Sequence, residues 1–423
     1  MTSGNAASQT ILVVGGGMSG LTAALEAAEV GHEVVLVEKS PYLGGRVAQH
    51  SKYFPKLCSP NCGLEINYQR IRNNPRITFH TLTEVENIQG ATGNYTVRLR
   101  QNPRFVNHKC TSCGDCAKVC DTEIPNTFDF GLGTTKAIHG GHAMAFPNRY
   151  VMDAEFAKTE AARKLVEVCK VGAIEPDMAA KNVDLSVGAI IWATGWQPYD
   201  AKKIRPYGFG QYANVTTNMR FERMAAPFGP SQGKIQRPSD GKEPTSIAFI
   251  QCAGSRDHNY LPFCSRICCL ASMKQATYVR SQYPDAKVTI FYIDLRAMDR
   301  YEAFQKKVEA DPNIRWIKSK PARIEEEATT GNPIVIGEDT LTGVRYRENF
   351  DMVVLATGME PNSAGQPVPA ANVPVDDYGF VVNAGGGIIS VGCAAGPLDV
   401  AGSVQSATAA ALKAIQSLAQ AKG

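Results

Sequence analysis

Near the N-terminus a four-residue apolar run, Ile11 to Val14, meets the glycines of VVGGGMSGL. An apolar-periodic stretch, LTAALEAAEVG, follows, and a second apolar run, EVVLVE, ends at Glu38. This order predicts a strand, a glycine turn, a helix and a parallel strand, a βαβ unit of about 30 residues. Gly15, Gly17 and Gly20 stand in G-x-G-x-x-G register. The first glycine makes the turn and the second lets a backbone approach a pyrophosphate. The third allows close helix–strand packing, and the helix N-terminus faces the phosphates. Glu38 sits where a carboxylate binds ribose hydroxyls.

A second βαβ pattern is predicted from strand Ile247–Gln251, helix Cys268–Gln282 and strand Val288–Asp294. Further strands are expected at Thr78–His80, Tyr95–Arg100, Ala189–Ala193 and Asp351–Ala356, with a closing helix over Ala401–Ala421. Where a nicotinamide-binding turn carries three glycines, this one reads Gln251-Cys252-Ala253-Gly254-Ser255-Arg256. The substitution predicts that NAD(P)H binding is lost there. Residues 103–182 break the alternation and read as an insertion. Residues 200–244, rich in Pro, Gly and polar groups, read as a linker or surface excursion. The expected division is 1–102 and 361–423 for the dinucleotide domain, 103–182 for the insertion, 183–243 for a return strand and linker, and 244–360 for the second Rossmann-like domain.

Twelve cysteines are the compositional excess. The sequence shows neither a secretory leader nor 18 consecutive apolar residues, so the thiols are expected in a reducing compartment. There they read as metal ligands or redox groups rather than disulfides. Cys110, Cys113, Cys116 and Cys120 form C-x2-C-x2-C-x3-C, the bacterial ferredoxin run, and Cys169 resembles a remnant of its partner run. The economical ligand set is Cys110, Cys113, Cys116 and Cys169, with Cys120 as the alternative fourth. A zinc knuckle or free thiols is the bland alternative. Cys252, Cys264, Cys268 and Cys269 form C-x11-C-x3-C-C, which is not a zinc-ribbon spacing. It predicts a second [4Fe–4S] site where a nicotinamide would otherwise lie, with buried structural thiols as the alternative. Cys58 and Cys62 fit either a redox dithiol or structural thiols. His139 and His142 read as loop residues.

The text around the first unit resembles two-dinucleotide-domain flavoproteins of the thioredoxin reductase-like type. Leu43-Gly44-Gly45-Arg46 is similar to their diphosphate loop. Ala193-Thr194-Gly195 and Ala356-Thr357-Gly358 are similar to their ATG turns. Gly392-Cys393 stands where they carry Gly-Asp. The resemblance implies FAD as cofactor and an α/β fold with a ferredoxin-like insertion. It places Gly15, Gly17, Met18, Ser19, Gly20, Glu38, Lys39, Gly44, Gly45, Arg46, Val85, Ala193, Thr194, Gly195, Gly358, Gly392 and Cys393 around that cofactor. No side-chain acid, base or nucleophile is expected.

GGGMSGLTAALEAAEVG, CTSCGDCAKVC and CAGSRD with FCSRICC together resemble the A subunits of heterodisulfide reductase. LGGRVAQ and KLCSPNCGLEIN are similar to the short members of that group, found in quinone-interacting membrane-bound oxidoreductases of sulfate-reducing microbes. That resemblance implies an electron-transfer protein carrying FAD and one or two [4Fe–4S] clusters, linking menaquinone to adenylylsulfate (APS) reductase. Implied partners are APS reductase, a second flavin/iron–sulfur subunit, and the haem-containing membrane subunit of such a complex. The implied location is cytoplasmic, peripheral on the membrane through those partners, without insertion. The alternatives are a heterodisulfide reductase A-like soluble flavoprotein, which could be electron-bifurcating, or an NAD(P)H-dependent thioredoxin reductase-like disulfide reductase. The net charge of +4 gives no ground for a nucleic-acid partner.

Overall fold

The computed structural model describes residues 8–54, 57–366, 368–370, 373–383 and 385–421. Apolar runs without alternation bury both faces of a strand, and two such sheets organise the chain. The first has five parallel strands in the order Ile388–Ser390, Ala189–Trp192, Ile11–Val14, Val34–Glu38 and Ile77–Thr81. Helices Met18–Glu29 and Val400–Gln420 cover one face, meeting through small residues such as Ala24, Ala407 and Ala411. Asp399 caps the second helix by accepting from the Gly402 N–H at 2.7 Å. The other face is covered by an antiparallel sheet of Lys181–Val187, Asn94–Gln101 and Thr83–Ala91. Its central strand alternates, so that Tyr95, Val97 and Leu99 pack on Leu12, Val14 and Trp192.

The same plan recurs in the second unit. Val215–Thr217, Met352–Thr357, Ser246–Ala253, Lys287–Tyr292 and Ile314–Lys318 form a parallel sheet. Helix Cys268–Gln282 packs on one face and a three-stranded meander, Arg323–Asn349, on the other. The expected linker over 200–244 is corrected here. It contributes an edge strand, Val215–Thr217, and a helix, Asn218–Ala225, whose Phe221 and Met224 join the core of Ile247 and Phe249. Polar composition hid this because the strand has only three residues and the helix eight. The two units are joined by an antiparallel pair, Trp196–Pro198 with Met359–Pro361, directly after the two ATG turns.

The insertion has a small core of its own, including Phe105, Ile138, Met152, Phe156 and Leu165. It is fastened to the first unit by Arg104, which donates to the Pro41 carbonyl and, at 2.8 Å, to Thr81 Oγ1. It is fastened to the second unit by a buried ion pair of 2.6 Å between Asp129 and Arg223. Among the described residues no helix is long and apolar enough to cross a membrane.

Candidate functional site

A cleft of about 290 Å³ opens at the carboxyl ends of the first sheet. Of the residues expected around FAD, it is lined by Gly15, Gly17, Met18, Ser19, Glu38, Lys39, Gly45, Arg46, Ala193, Thr194, Gly195 and Cys393. Gly20, Gly44, Gly358 and Gly392 do not line it. Val85, on the antiparallel sheet, packs toward the core and does not line it.

Two glycines are dictated by close approach. Gly15 has φ +109°, and a Cβ there would sit 2.3 Å from the Ala193 carbonyl oxygen. A Cβ on Gly20 would lie 1.7 Å from the Gly15 oxygen, so this helix can approach its strand only with glycine. Gly17 differs: the nearest atom to a Cβ there is Gly45 Cα at 3.8 Å, leaving its outer side to the cleft.

Glu38 is buried and accepts the Gly16 N–H at 2.6 Å and the Ser40 N–H at 2.7 Å, one on each oxygen. A carboxylate held this way keeps lone pairs for hydroxyl donors. Arg46 donates to the Trp196 carbonyl at 3.1 Å and to Gln49 Oε1 at 3.0 Å, and burial lowers its pKa. The Thr194 hydroxyl is buried at the cleft wall with no partner, a donor left for a bound group. The Cys393 thiol donates to the Leu398 carbonyl at 3.3 Å, and burial pushes it up. This set fits FAD; where the resemblance has Asp, Cys393 lines the cleft, together with Asp399 and Ser403.

The sequence did not reveal three further contributions. The insertion lends Phe128 and His142 to the wall, their rings stacked at 4.3 Å. Expected as a loop residue, His142 is thus part of the cleft; His139, also expected in a loop, instead ends the short strand Ile138–His139, opposite Val151, and accepts the Gly141 N–H at 3.1 Å. The second unit lends Ile267, Leu270, Ala271 and Lys274 from the start of the cysteine-bearing helix. Lys274 pairs with Glu222 at 3.0 Å, and Glu222 also accepts from Gln275 at 2.8 Å and from the Ser51 N–H at 3.0 Å. His50, 3.8 Å from Glu222, lines the cleft, and burial lowers its pKa. A lone Lys and a lone Glu, far apart in the chain, carry no sequence signal.

Cys110, Cys113, Cys116 and Cys169 line one small pocket with Val106, Val171 and Ile174. Burial pushes Cys116 up to about 11, and the Cys169 sulfur accepts the Ala173 N–H at 3.2 Å. Cys120 turns away into the insertion core, with its sulfur 3.6 Å from the Thr122 carbonyl. Cys252 lies near the end of its strand with φ +55°. Cys268 and Cys269 open the following helix, with sulfurs 3.9 Å and 3.6 Å from the carbonyls of Thr357 and Asp294. Burial pushes both thiols up, Cys269 to about 11, and the charges of Cys252 and Cys264 add to it. Arg256 lies beside Cys252 and Arg296 beside Cys264, and both guanidiniums pair with Asp294. All these cysteines are free thiols. Among the described residues no three His, Cys, Asp or Glu side chains converge as ligands of a single ion. A cubane takes its thiolates at four separate corners, and four free thiols around one pocket, or beside paired cations, fit that demand.

Residues 10–107 match the family model for FAD dependent oxidoreductases. The chain is 40% identical, over 96% of its length, to an iron-sulfur A subunit of the CoB–CoM heterodisulfide reductase of Methanopyrus kandleri. It is 36% identical, over 95%, to the A subunit of the H(2):CoB-CoM heterodisulfide,ferredoxin reductase of Methanothermobacter marburgensis. It spans 64% and 63% of the lengths of these two curated relatives. Among solved structures, the thioredoxin reductase of Lactococcus lactis superposes with a TM-score of 0.52 at 13% identity, covering 97% of this chain and 99% of that one. The bacillithiol disulfide reductase of Bacillus cereus also gives 0.52 at 13% identity, with the same coverage. FAD, read from the glycine turn, is named in the matched family model, and iron–sulfur, read from the cysteine runs, in the Methanopyrus kandleri relative. The chain thus carries a segment that matches the FAD dependent oxidoreductase model, has a fold like that of thioredoxin reductase, and is similar along almost its whole length to A subunits of heterodisulfide reductase.

Proposed function

We propose that this chain is the FAD- and iron–sulfur-bearing electron-transfer component of a heterodisulfide reductase A-like complex. One observation carries the reading: a single helix, Cys268–Gln282, opens with two cysteines of the second cluster motif and also walls the cleft through Leu270, Ala271 and Lys274. The flavin and the cluster ligands would share one rigid element, which suits electron passage between them.

FAD, when bound, supplies the exchange between two-electron and one-electron steps. Gly15, Gly17 and Gly20 with the first turn of helix Met18–Glu29 would receive its diphosphate, and Glu38 its ribose. Cys110, Cys113, Cys116 and Cys169 would hold one [4Fe–4S] cluster, and Cys252, Cys264, Cys268 and Cys269 the other. Arg256 and Arg296 place positive charge beside the second set, which favours thiolates and an anionic cluster. Asp294 follows the second strand of that unit, where a nicotinamide domain offers a carboxylate to ribose. Here it is engaged by Arg256 and Arg296. This supports an electron route that does not use NAD(P)H.

The narrower reading is a quinone-linked relay to APS reductase, peripheral on the cytoplasmic face of a membrane through a haem-containing partner. It rests on the LGGRVAQ and KLCSPNCGLEIN stretches, whereas the relatives favour the broader heterodisulfide reductase A-like role. Anaerobic mixing tests the route. NADH is expected to leave the flavin absorbance unchanged while dithionite bleaches it, and rapid bleaching by NADH alone would promote a disulfide reductase instead. Recovery of the tagged chain with a haem-containing membrane protein is the result expected from the narrower reading, and recovery with soluble partners alone contradicts it.

A further inference from the structure

Cys58 and Cys62 lie outside both cluster groups, four residues apart, with the Cys62 N–H donating to the Ser59 carbonyl at 3.2 Å in the turn between them. The backbone of Tyr53 bridges that of Cys58, its N–H donating to the Cys58 carbonyl at 3.0 Å. The Tyr53 hydroxyl lies beside the Cys58 sulfur. Cys62 is the third residue of helix Pro60–Asn73, and its sulfur also acts on that hydroxyl. A Cβ built on Gly63 would lie 3.7 Å from the same oxygen, so the first helical turn stands against the phenol. The Cys58 sulfur beside it, then burial, then the charges of both cysteines push Tyr53 up to about 12, which keeps it a proton donor at neutral pH.

The pair also has two outlets. Cys62 is exposed, whereas Cys58 is half-buried. Tyr53 and Phe54 line the flavin cleft, and the Phe54 ring packs edge-on against Tyr301 at 4.5 Å. On the other side Ser59, Pro60 and Asn61, the residues between the two cysteines, line a crevice with Phe128 and the exposed Phe228.

We propose that Cys58 and Cys62 are a dithiol that exchanges with small-molecule disulfides and closes an internal disulfide on the wall of the cleft. Cys62, as thiolate, attacks one sulfur of the external disulfide; the external S–S bond breaks and the first small thiolate leaves. The Cys58 thiolate then attacks the Cys62 sulfur, the mixed S–S bond breaks and the second small thiolate leaves. The two protein thiol protons pass to the departing thiolates. The pair loses two electrons and the external disulfide gains them. Tyr53 hydrogen-bonds the Cys58 sulfur through the second step and carries the closure to the cleft. The exchange needs neither cofactor.

The full chain, incubated anaerobically with mixtures of glutathione and its disulfide, is quenched with iodoacetamide and mapped by peptide mass. A Cys58–Cys62 disulfide is expected to grow in as the oxidised fraction rises. Cys58→Ser is expected to trap glutathione on Cys62, and Tyr53→Phe to slow closure about fivefold, the loss of one hydrogen bond. Alkylation of both cysteines at every ratio, or glutathione held on Cys62 of the unaltered chain without the internal bond, would overturn the proposal. Flavin content, read from absorbance of the same samples, reports separately on the FAD reading.

Discussion

The Lys274 ammonium lies 3.0 Å from the Glu222 carboxylate, with only 4% and 1% of the two side chains exposed. One residue comes from the cysteine-bearing helix and the other from Asn218–Ala225. Removing one partner of a buried pair leaves an uncompensated charge, which costs about 3–5 kcal/mol. Lys274→Met should therefore lower the denaturant midpoint sharply. The double variant Lys274→Met/Glu222→Gln should regain part of the loss, and simple additivity would show the two sites to be uncoupled.

The same pair sets an acid limit. Burial alone would push the Glu222 carboxyl up, but Lys274, His50 and Gln275 outweigh it and hold the group well below the usual carboxylate range. A depressed carboxylate stabilises the fold fully above its unfolded value and loses that contribution as pH falls through the folded one. The stability gap between the unaltered chain and Glu222→Gln should be largest at neutral pH. It should shrink below about pH 4, where the unfolded carboxylate protonates. Urea midpoints at a series of pH values measure this, and a gap that widens in acid would contradict it.

The glycine turn separates folding from binding. Gly20→Ala puts a Cβ 1.7 Å from the Gly15 oxygen and should cost about 3 kcal/mol or more of stability. Gly17→Val, in an extended backbone with open space outside, should leave the melting temperature nearly unchanged while flavin content falls. A folded Gly17→Val variant with normal flavin would remove Gly17 from the diphosphate site.

The ferredoxin-type run has a fourth ligand to choose. Cys169→Ser should remove about four irons per chain, one cubane. Cys120→Ser, in the insertion core, should keep its iron and lose at most about 1 kcal/mol of stability. The reverse pattern of iron loss would restore Cys120 to the ligand set.

The inner strands of both parallel sheets were legible because buried runs of Val, Ile and Leu are a strong local pattern, whereas the edge strands Ile388–Ser390 and Ile314–Lys318 were not expected. Helix Cys268–Gln282 was placed residue for residue. The edge strand Val215–Thr217 was not, since three residues carry no periodicity and its burial comes from pairing with Met352–Thr357. In the site, Gly15, Glu38 and the cysteine runs carry their chemistry in fixed spacing. His142, Phe128 and Lys274 reach the cleft only through the packing of the insertion and the second unit, to which no sequence spacing corresponds. Spacing left both Cys120 and Cys169 open as the fourth ligand, and only the direction of their side chains distinguishes them.

Anaerobic purification followed by flavin, iron and acid-labile sulfide analysis decides whether the chain carries both FAD and two clusters. One FAD and about eight irons with matching sulfide are expected per chain, two cubanes in all. In Cys268→Ser/Cys269→Ser about four irons, one cubane, and an unchanged flavin content are expected. A folded double variant that keeps all its iron and its paramagnetic signals, or an unaltered chain with flavin and no sulfide, would contradict the two-cluster reading.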